Sequence, residues 1–534
     1  MRAHVPRNHS VLYATIQQRL GRLTGSGIHA LLKESRIGLE KESLRVNSEG
    51  SLALTPHPVA LGSPLTHPWI TTDYAEPLLE LITPPMATFA EALGFLRDVQ
   101  RFVYPRIGEE ILWATSMPCV VRGESSIPLA RYGSSNAGTM KTVYRRGLGY
   151  RYGRVMQVIA GIHFNYSFGQ AFWAGLQGLE GDGVPLREFI DTRYFALLRN
   201  LQRLGWLVPY LFGASPAVCK SFLCGQPNRL RQFDPGTYYE PWATSLRMGD
   251  IGYQNNQENK RGIKANYDSL DAYVESLRCA IETPCPEYEA IGVKVDGKYR
   301  QLNGNILQIE NEYYSTVRPK QVPIGNEKPT LALTRRGVAY FELRSLDVNA
   351  FDPLGVNEEQ LHFLEALTLF CLLADSPPID AVERENIDWN EMTTAHRGRE
   401  PGLELRRNGA MVSLRAWAAE VTGAMEGVCR VLDEVKGPGY LEALRLQQAK
   451  VEDPERTPSA RMLREMRENG ETFHAFARRM SLKHQRYFMA LPEDADRTRE
   501  FTGLAAGSIS DQRAVEAADD IDFDEYLRRY FAQH

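Results

Sequence analysis

The chain has 534 residues, of which 43% are hydrophobic and 24% charged, with a formal net charge of -4; this is typical of a soluble globular protein of one large domain or two to three ordinary ones. There is no basic excess of the kind that binds nucleic acid or an anionic membrane surface, no secretion signal at the N-terminus, and no apolar run near the roughly 20 residues of a membrane helix. We therefore expect a cytoplasmic protein that binds neither nucleic acid nor membrane.

The chain begins with helical periodicity. Apolar residues three or four positions apart predict one or two amphipathic helices over residues 9–34, and a glycine-rich break falls at 24–27. A short strand is predicted next, at 38–46, where Glu40 and Glu42 would point to the same side. Two carboxylates so close repel, and one keeps its proton unless a cation lies between them. The alternative is a solvated edge strand with exposed charge.

A third carboxylate, Glu80, interrupts the apolar run 78–82 ahead of a double proline. Such a group is costly to bury unless it is paired or bound to a metal, and the alternative is a half-exposed strand. A helix is predicted over 88–112. The glycine-rich loop 133–138 precedes a basic, aromatic stretch that suits phosphate binding, although it matches no P-loop or dinucleotide fingerprint.

Residues 161–168 alternate as a β-strand, with aromatic and aliphatic residues on one face and His163, Asn165 and Ser167 on the other. A lone histidine in a strand is usually a satisfied structural residue. It becomes a candidate metal ligand if its face meets the one that carries Glu40 and Glu42.

Helices are predicted near 193–213 and 268–283, followed by two strands. The strand 307–314 would place Gln308, Glu310 and Glu312 on one face, and the strand 340–346 would place Glu342 and Arg344 together. After Pro353 the chain is predicted to be helical to its end, with no further strand and no internal repeat.

The seven cysteines are scattered, at positions 119, 219, 224, 279, 285, 371 and 429. None forms a C-x-x-C pair or a paired metal spacing. We interpret each as a small buried hydrophobe in a reduced compartment.

Several strands that are far apart in sequence therefore share one design, with an apolar face and a polar face, as in an antiparallel sheet that buries one side. If the polar faces curve together, they form a basin that consists of Glu40, Glu42, Glu80, His163, Arg247, Glu310, Glu312, Glu342 and Arg344. Carboxylates with one imidazole suit Mg²⁺ or Mn²⁺, and nearby arginines suit phosphoryl transfer. This set favours a nucleotide-using enzyme over a glycoside hydrolase, which needs only two carboxylates.

Longer motifs follow one another along the chain. They are GLEKESLRV at 38–46, WITTDYAE at 69–76, YRRGLGYRYG at 144–153, GIHFNYS at 161–167, PYLFGASPA at 209–217, ATSLR at 243–247, LQIENE at 307–312 and ELRSLD at 342–347. Together they resemble the bacterial glutamate–cysteine ligases of the monofunctional type 1 family, collinearly from about residue 36 to 375 and more loosely beyond.

The resemblance implies an α+β fold related to glutamine synthetase, in which a curved antiparallel sheet forms a funnel with helices outside. Residues 1–375 would be the catalytic region, including the helical segment 9–34, and residues 376–534 a helical C-terminal region packed on it. The resemblance also implies ATP-dependent joining of the L-glutamate γ-carboxylate to the L-cysteine amine through γ-glutamyl phosphate, the first step of glutathione biosynthesis. The alternative is a related ligase with a different amine substrate. We expect a monomer.

Residue roles follow from the same resemblance. The Mg²⁺ ligands (with Mn²⁺ as an alternative ion) would be Glu40, Glu42, Asp73, Glu80, His163 and Glu342. The cysteine pocket would be formed by Tyr74, Tyr144, Leu148, Gln157, Tyr253 and Tyr314, with Arg247 on the carboxylate of that substrate. Arg145 and Arg344 would face the transferred phosphoryl group. A non-catalytic binding protein would have lost metal ligands, whereas all six are present.

Two departures from the family pattern stand out. Tyr74 occupies a position where the relatives have phenylalanine, and Trp242 one where they have tyrosine. No second ligase domain follows the match, so we expect the monofunctional enzyme. The glycine-rich loops 133–138 and 223–236 are either lids that keep water from the acyl phosphate or ordinary surface loops.

Overall fold

A computed structural model describes residues 9–181, 183–225, 227–252 and 264–533. The strands are β1 (Arg36–Val46), β2 (Ile70–Thr72), β3 (Leu78–Ile82), β4 (Ile111–Leu112), β5 (Gly161–Ser167), β6 (Ala217–Cys219), β7 (Arg231–Asp234), β8 (Thr237–Tyr239), β9 (Lys294–Val295), β10 (Lys298–Tyr299), β11 (Val317–Lys320), β12 (Tyr340–Asp347), β13 (Glu404–Arg407) and β14 (Ala410–Ser413). Seven of them form the central antiparallel sheet, in the order β11-β12-β5-β1-β3-β2, with β4 paired to β1.

Helices surround this sheet. The α-helices are His9–Gly25, Phe89–Val103, Asn136–Tyr152, Gln170–Glu180, Leu186–Arg203, Leu207–Phe212, Leu270–Glu282, Pro286–Glu289, Pro329–Arg336, Glu358–Leu373, Ala381–Arg397, Leu414–Ala424, Glu426–Lys436, Tyr440–Glu452, Pro458–Asn469, Phe473–Ala490, Ala495–Ala518 and Phe523–Phe531. Thr88 and Asn357 each begin a helix with a capping box, which satisfies backbone N–H groups of the first turn.

The apolar face of the sheet is the core of the protein. Phe164 of β5 and Phe341 of β12 lie on this face with ring centroids 6.5 Å apart, and the buried helix Glu358–Leu373 lies behind them. Tyr166 donates a hydrogen bond to Glu365 of that helix over 2.6 Å. Side chains alternate between the two faces along β1, β5 and β12, so the polar side chains of these strands lie on the opposite face, as predicted.

The pairing of β12 with β5 contains an irregularity that the sequence does not show. The register shifts between Leu343 and Leu346, so that Leu346 pairs with Ile162 and Asp347 with Gly161. Strict alternation would put Asp347 on the apolar face. Because a bulge inserts one extra residue, Asp347 lies on the polar face instead.

Several predicted elements need correction. Residues 307–314 do not form a strand, because Glu310–Glu312 is a 3-10 turn. The hairpin of β13 and β14 contradicts the prediction of a C-terminal part without strands. The helix predicted over 88–112 ends at Val103, ahead of Pro105, and the run 193–213 contains two helices, Leu186–Arg203 and Leu207–Phe212.

The interpretation of the cysteines is also partly wrong. Cys119 and Cys219 form a disulfide, with Cα atoms 5.4 Å apart, because the segment after β4 lies beside β6. Cys224 and Cys279 are exposed, whereas Cys285, Cys371 and Cys429 are buried free thiols as expected.

C-terminal helices contact the sheet region at several points. Ser481 accepts a hydrogen bond from the backbone of Ala114, and Ser508 accepts one from the backbone of Ser63, both over 2.9 Å. The division at residue 375 stays a prediction. Within the described ranges, no helix is both long enough and apolar enough to span a membrane.

Candidate active site

The candidate site is the polar face of four adjacent strands, β3, β1, β5 and β12. The antiparallel register places Glu80 directly opposite Glu42 and places His163 directly opposite Glu40. Glu342 follows on the next strand, opposite Asn165. Since paired residues point to the same side of a sheet, these groups form one continuous patch.

The side chains of this patch are in mutual contact. Nδ1 of His163 is 2.8 Å from Oε2 of Glu40 and 3.6 Å from Oε1 of Glu342, and Nε2 of His163 is 3.7 Å from Oε1 of Glu42. Ligand atoms of Glu40, Glu80 and His163 all lie within 4.8 Å of one another. Asn165 and the backbone N–H of Gly161 donate hydrogen bonds to Glu40 and Glu42, over 2.9 Å and 2.6 Å.

The carboxylates of the patch differ in their tendency to ionise. Burial raises the pKa of Glu80 well above its ordinary value, and the negative charges of Glu40 and Asp73 raise it further. Burial also raises the pKa of Glu42. Burial opposes the ionisation of Glu342 too, yet Lys320 and Arg344 hold the pKa of that carboxyl well below its usual range. Like charges therefore crowd together on the Glu80 side of the patch.

This donor set fits a hard divalent cation. Carboxylate oxygens and one imidazole that lie close enough to bind the same ion match the preferences of Mg²⁺ and Mn²⁺. Asp73, the sixth predicted ligand, lies further out, with its side chain 44% exposed and its Oδ1 3.9 Å from Nη2 of Arg145. Its role as a metal ligand stays a prediction.

Cationic side chains border the patch on two sides. Arg145 stacks over the ring of Tyr132 at 4.6 Å and donates to the backbone carbonyl of Asp73. On the other side, Arg344 donates to Glu342 over 3.1 Å. The structure therefore places both predicted phosphoryl-facing arginines beside the carboxylates, at opposite ends of the patch.

Two lysines at this border were not among the predicted site residues. Nζ of Lys320 lies 3.4 Å from Oε1 of Glu342. Nζ of Lys141 lies 5.1 Å over the Tyr132 ring, one helical turn before Arg145. Lys141 could have been identified from its i,i+4 spacing to Arg145. Lys320 reaches the site only because β11 pairs with β12.

Two residues of the predicted amine pocket are in direct contact. Tyr314 donates a hydrogen bond to Oε1 of Gln157 over 2.7 Å, and both side chains are buried. Tyr144 and Leu148 are one turn apart on the helix Asn136–Tyr152. Tyr74 is 1% exposed. The predicted member Tyr253 lies outside the described residues.

Arg247 lies against β5 and β12. It is buried and donates to the backbone carbonyl of Arg344 over 2.8 Å. A Cβ atom on Gly161 would be only 2.1 Å from Nη2 of Arg247. The absence of a side chain at position 161 is therefore what lets the guanidinium approach the strand that carries His163.

The structure excludes two predicted members of the basin. Oε1 of Glu312 accepts hydrogen bonds from Arg151 over 2.9 Å and from Tyr152 over 2.8 Å, and the Arg151 and Glu312 side chains are fully buried. Oε1 of Glu310 accepts from Thr330 over 2.5 Å. Because these residues belong to a 3-10 turn and not to a strand, they do not share a face with Glu40, Glu80 and Glu342.

The C-terminal part of the chain contacts the loop 133–138. The sequence left two interpretations of this loop open, a lid or an ordinary surface loop. Glu516 accepts a hydrogen bond from the backbone of Ser134 over 2.8 Å, and Asn136 donates to the backbone carbonyl of Ile521 over 2.9 Å. These contacts favour the surface-loop interpretation.

The antiparallel sheet buries one face and presents carboxylates, an imidazole and arginines on the other. This arrangement is typical of carboxylate–amine ligases of the glutamine synthetase-like class. The family model for glutamate–cysteine ligase matches residues 20–394. The chain belongs to the glutamate–cysteine ligase family.

Individual relatives agree over nearly the whole chain. The glutamate–cysteine ligase of Alcanivorax borkumensis is 48% identical over 97% of this chain and 99% of its own length. That of Pseudomonas aeruginosa is 47% identical over 97% and 98%. The crystal structure of glutamate–cysteine ligase from Francisella tularensis in complex with AMP superposes with a TM-score of 0.87 at 36% identity, over 93% of this chain and 97% of that one.

A bifunctional glutathione synthetase from Pasteurella multocida is also similar, with a TM-score of 0.69 at 25% identity over 88% of this chain and 55% of that chain. The predicted family, fold class and function, that of a ligase in the first step of glutathione synthesis, are thereby confirmed.

Proposed function

We propose that the described patch is the catalytic centre at which the γ-carboxylate of L-glutamate is joined to the amine of L-cysteine at the expense of ATP. The observation that carries this proposal is the Glu40–His163 pair of the central sheet, with Arg344 on the neighbouring Glu342 and Arg145 near Asp73 at the border of the patch. The AMP complex of the Francisella tularensis relative supports ATP as the nucleotide substrate.

We further propose Glu40, Glu42, Asp73, Glu80, His163 and Glu342 as the residues that hold Mg²⁺, with Mn²⁺ as an alternative ion. The crowding of carboxylates around Glu80 supports this assignment, since their repulsion is relieved when a cation binds. When bound, the ion would neutralise negative charge on the ATP phosphates and on the acyl phosphate.

Arg145 and Arg344 orient and neutralise the transferred phosphoryl group from two sides. A γ-carboxylate oxygen of glutamate attacks the terminal phosphorus of ATP, ADP leaves, and γ-glutamyl phosphate forms. The cysteine amine, in its neutral form, then attacks the acyl carbon, the phosphate leaves, and the nitrogen releases a proton as the amide forms. The chain need not supply a nucleophile for either step, so the free cysteines need not be catalytic.

The pocket around Tyr144, Leu148 and Tyr314 receives the cysteine, and Arg247 binds its carboxylate. Buried aromatic walls keep water from the acyl phosphate, which would otherwise hydrolyse. Gln157 is held by Tyr314 and gives the pocket a fixed amide group. We also propose that the enzyme acts as a monomer in the cytoplasm, where ATP and both amino acids are available.

The test is phosphate release from Mg-ATP with L-glutamate and a series of amine acceptors, with product identified by mass. We expect strong release with L-cysteine and formation of γ-glutamylcysteine. Glu342→Gln should abolish release, whereas Glu49→Gln, at a side chain that is 76% exposed, should not change it. Release only with another amine would contradict the amine-pocket assignment, and no release with any acceptor would contradict the proposal.

A further inference from the structure

We infer that Asp347 is a positioning residue that orients Arg247 toward the carboxylate of the amine substrate, and that it thereby contributes to the choice of amine. This inference rests on the proposed role of Arg247. Asp347 is 1% exposed and ends β12. Its carboxylate Oδ1 lies 3.8 Å from Nη1 of Arg247, and both side chains are buried.

The bulge in β12 is what brings Asp347 to this position. Arg344 and Ser345 fall within the register shift, so Asp347 pairs with Gly161 and faces the same side as Glu342. Gly161 is also the residue against which the Arg247 guanidinium packs. One irregularity in the sheet therefore places a carboxylate and an arginine side by side at the end of the metal-binding patch.

Asp347 is occupied by hydrogen bonds from other groups. Its Oδ2 accepts from the Ala214 backbone over 2.8 Å and from the Ser215 hydroxyl over 2.6 Å, and its Oδ1 accepts from the Ser245 hydroxyl over 2.9 Å. The distance to Arg247 is longer than a hydrogen bond. The carboxylate thus attracts the guanidinium without forming the bidentate pair that would compete with a substrate carboxylate.

Two of these three donors, the serine hydroxyls, connect Asp347 to the backbone at Arg247 and at the residue after it. Ser215 accepts a hydrogen bond from the N–H of Arg247 over 3.2 Å, and Ser245 caps the 3-10 turn Leu246–Met248 by accepting from Met248 over 3.2 Å. Asp347 therefore orients both the side chain of Arg247 and the turn that carries it. A neutral residue at position 347 should loosen both.

The first variant is Asp347→Asn, which keeps the shape of the side chain and removes its charge. We expect the KM for L-cysteine to rise roughly 10-fold, as for a lost hydrogen-bonding partner of a charged group. The KM values for glutamate and ATP should stay within about 2-fold, and kcat should fall less than the cysteine KM rises. Ser245→Ala, which removes one donor to Asp347, should give a smaller rise of the same kind.

The deciding comparison uses 2-aminoethanethiol, which has the amine and thiol of cysteine and no carboxylate. Wild type and Asp347→Asn should use this acceptor with equal kcat/KM, because Arg247 has no carboxylate to bind. Glu365→Gln is the matched control: Glu365 is equally buried, on the helix behind the opposite face of the sheet, and accepts hydrogen bonds from Ser35, Tyr166, Lys436 and Tyr440. It should leave the preference for cysteine over the decarboxylated amine unchanged.

Equal losses with both acceptors would overturn the inference, because Asp347 would then support the fold and not the orientation of Arg247. If Asp347→Asn does not fold, Ser245→Ala decides by the same comparison. A wild-type enzyme that does not prefer cysteine over 2-aminoethanethiol would instead contradict the proposed role of Arg247. An Arg247→Met variant distinguishes that case, since it should abolish the preference if the role is correct.

Discussion

Replacement of Glu80 by glutamine should inactivate the enzyme and stabilise its metal-free fold. The side chain lies among like charges, with ligand atoms of Glu40 and His163 within 4.8 Å. The pKa of Glu80 is raised well above its ordinary value, first by burial and then by the charges of Glu40 and Asp73. Glutamine has nearly the same shape and no charge, so the substitution removes this repulsion and a metal ligand together.

The magnitude follows from the distance. Two unit charges about 4 Å apart interact by about 4 kcal/mol at an effective dielectric constant near 20. The attraction between Glu80 and Arg145 reduces this figure, so we expect a gain of about 1–3 kcal/mol in the free energy of unfolding at pH 8.

The sign depends on pH. The folded state keeps the Glu80 proton above the pKa of 4.5 that the unfolded carboxyl has, so wild-type stability falls as pH rises past that value. The gain from the glutamine variant should therefore be absent below about pH 4.5 and grow above it.

Urea unfolding of the protein in EDTA, at several pH values, measures this effect, and the Glu49→Gln variant is the control for an exposed carboxylate. Added Mg²⁺ should raise the midpoint of wild type more than that of Glu80→Gln, because a cation that binds only the folded state stabilises it. A variant less stable than wild type at pH 8 without metal, or one stabilised equally by Mg²⁺, would refute the argument.

Three further variants address residues at the edge of the site or behind it. Burial lowers the pKa of Lys41 to about 7, so the unfolded state binds more protons between about pH 7 and 10.5 and wild-type stability rises there by at most about 1.4 kcal/mol per pH unit. The variant Lys41→Met should flatten this rise in urea unfolding. Parallel pH profiles of the two proteins would contradict the expectation. Tyr74→Phe removes a buried hydroxyl without a hydrogen bond among the described residues, so it should raise the free energy of unfolding by about 1 kcal/mol and leave the cysteine KM within about 2-fold; a raised KM would show that the hydroxyl contacts the substrate. Glu312→Gln leaves Arg151 buried without its carboxylate and should cost about 3 kcal/mol by thermal or urea unfolding; lost activity in a fully stable variant would instead place Glu312 in the catalytic centre.

Much of the carboxylate patch could be predicted from local sequence. Alternation in β1 and β5 correctly placed Glu40, Glu42 and His163 on polar faces, because side chains alternate with a period of two in any regular strand. Glu80 stood out because a carboxylate within an apolar run needs a partner. The helix Glu358–Leu373 lies in the part of the chain that is predicted to be helical after Pro353, and Asn357 caps its first turn.

The same rule failed wherever the chain departs from a regular strand. Gln308, Glu310 and Glu312 have the spacing of a strand, yet Arg151 and Tyr152 of a distant helix bind Glu312 in a turn. The bulge before Leu346 reverses the side to which Asp347 points. Neither the turn nor the bulge can be recognised from local periodicity, because each depends on contacts with residues that are far away in the sequence.

The sequence alone therefore determined which strands have a polar face and which chemical groups that face carries, because both are local properties of the chain. The tertiary structure decided which of these faces meet. It paired β11 with β12 so that Lys320 reaches Glu342, brought Cys119 beside Cys219, and seated Arg247 against Gly161. These contacts depend on strand order, register and close packing, which are set by the burial of the whole core and not by any single segment.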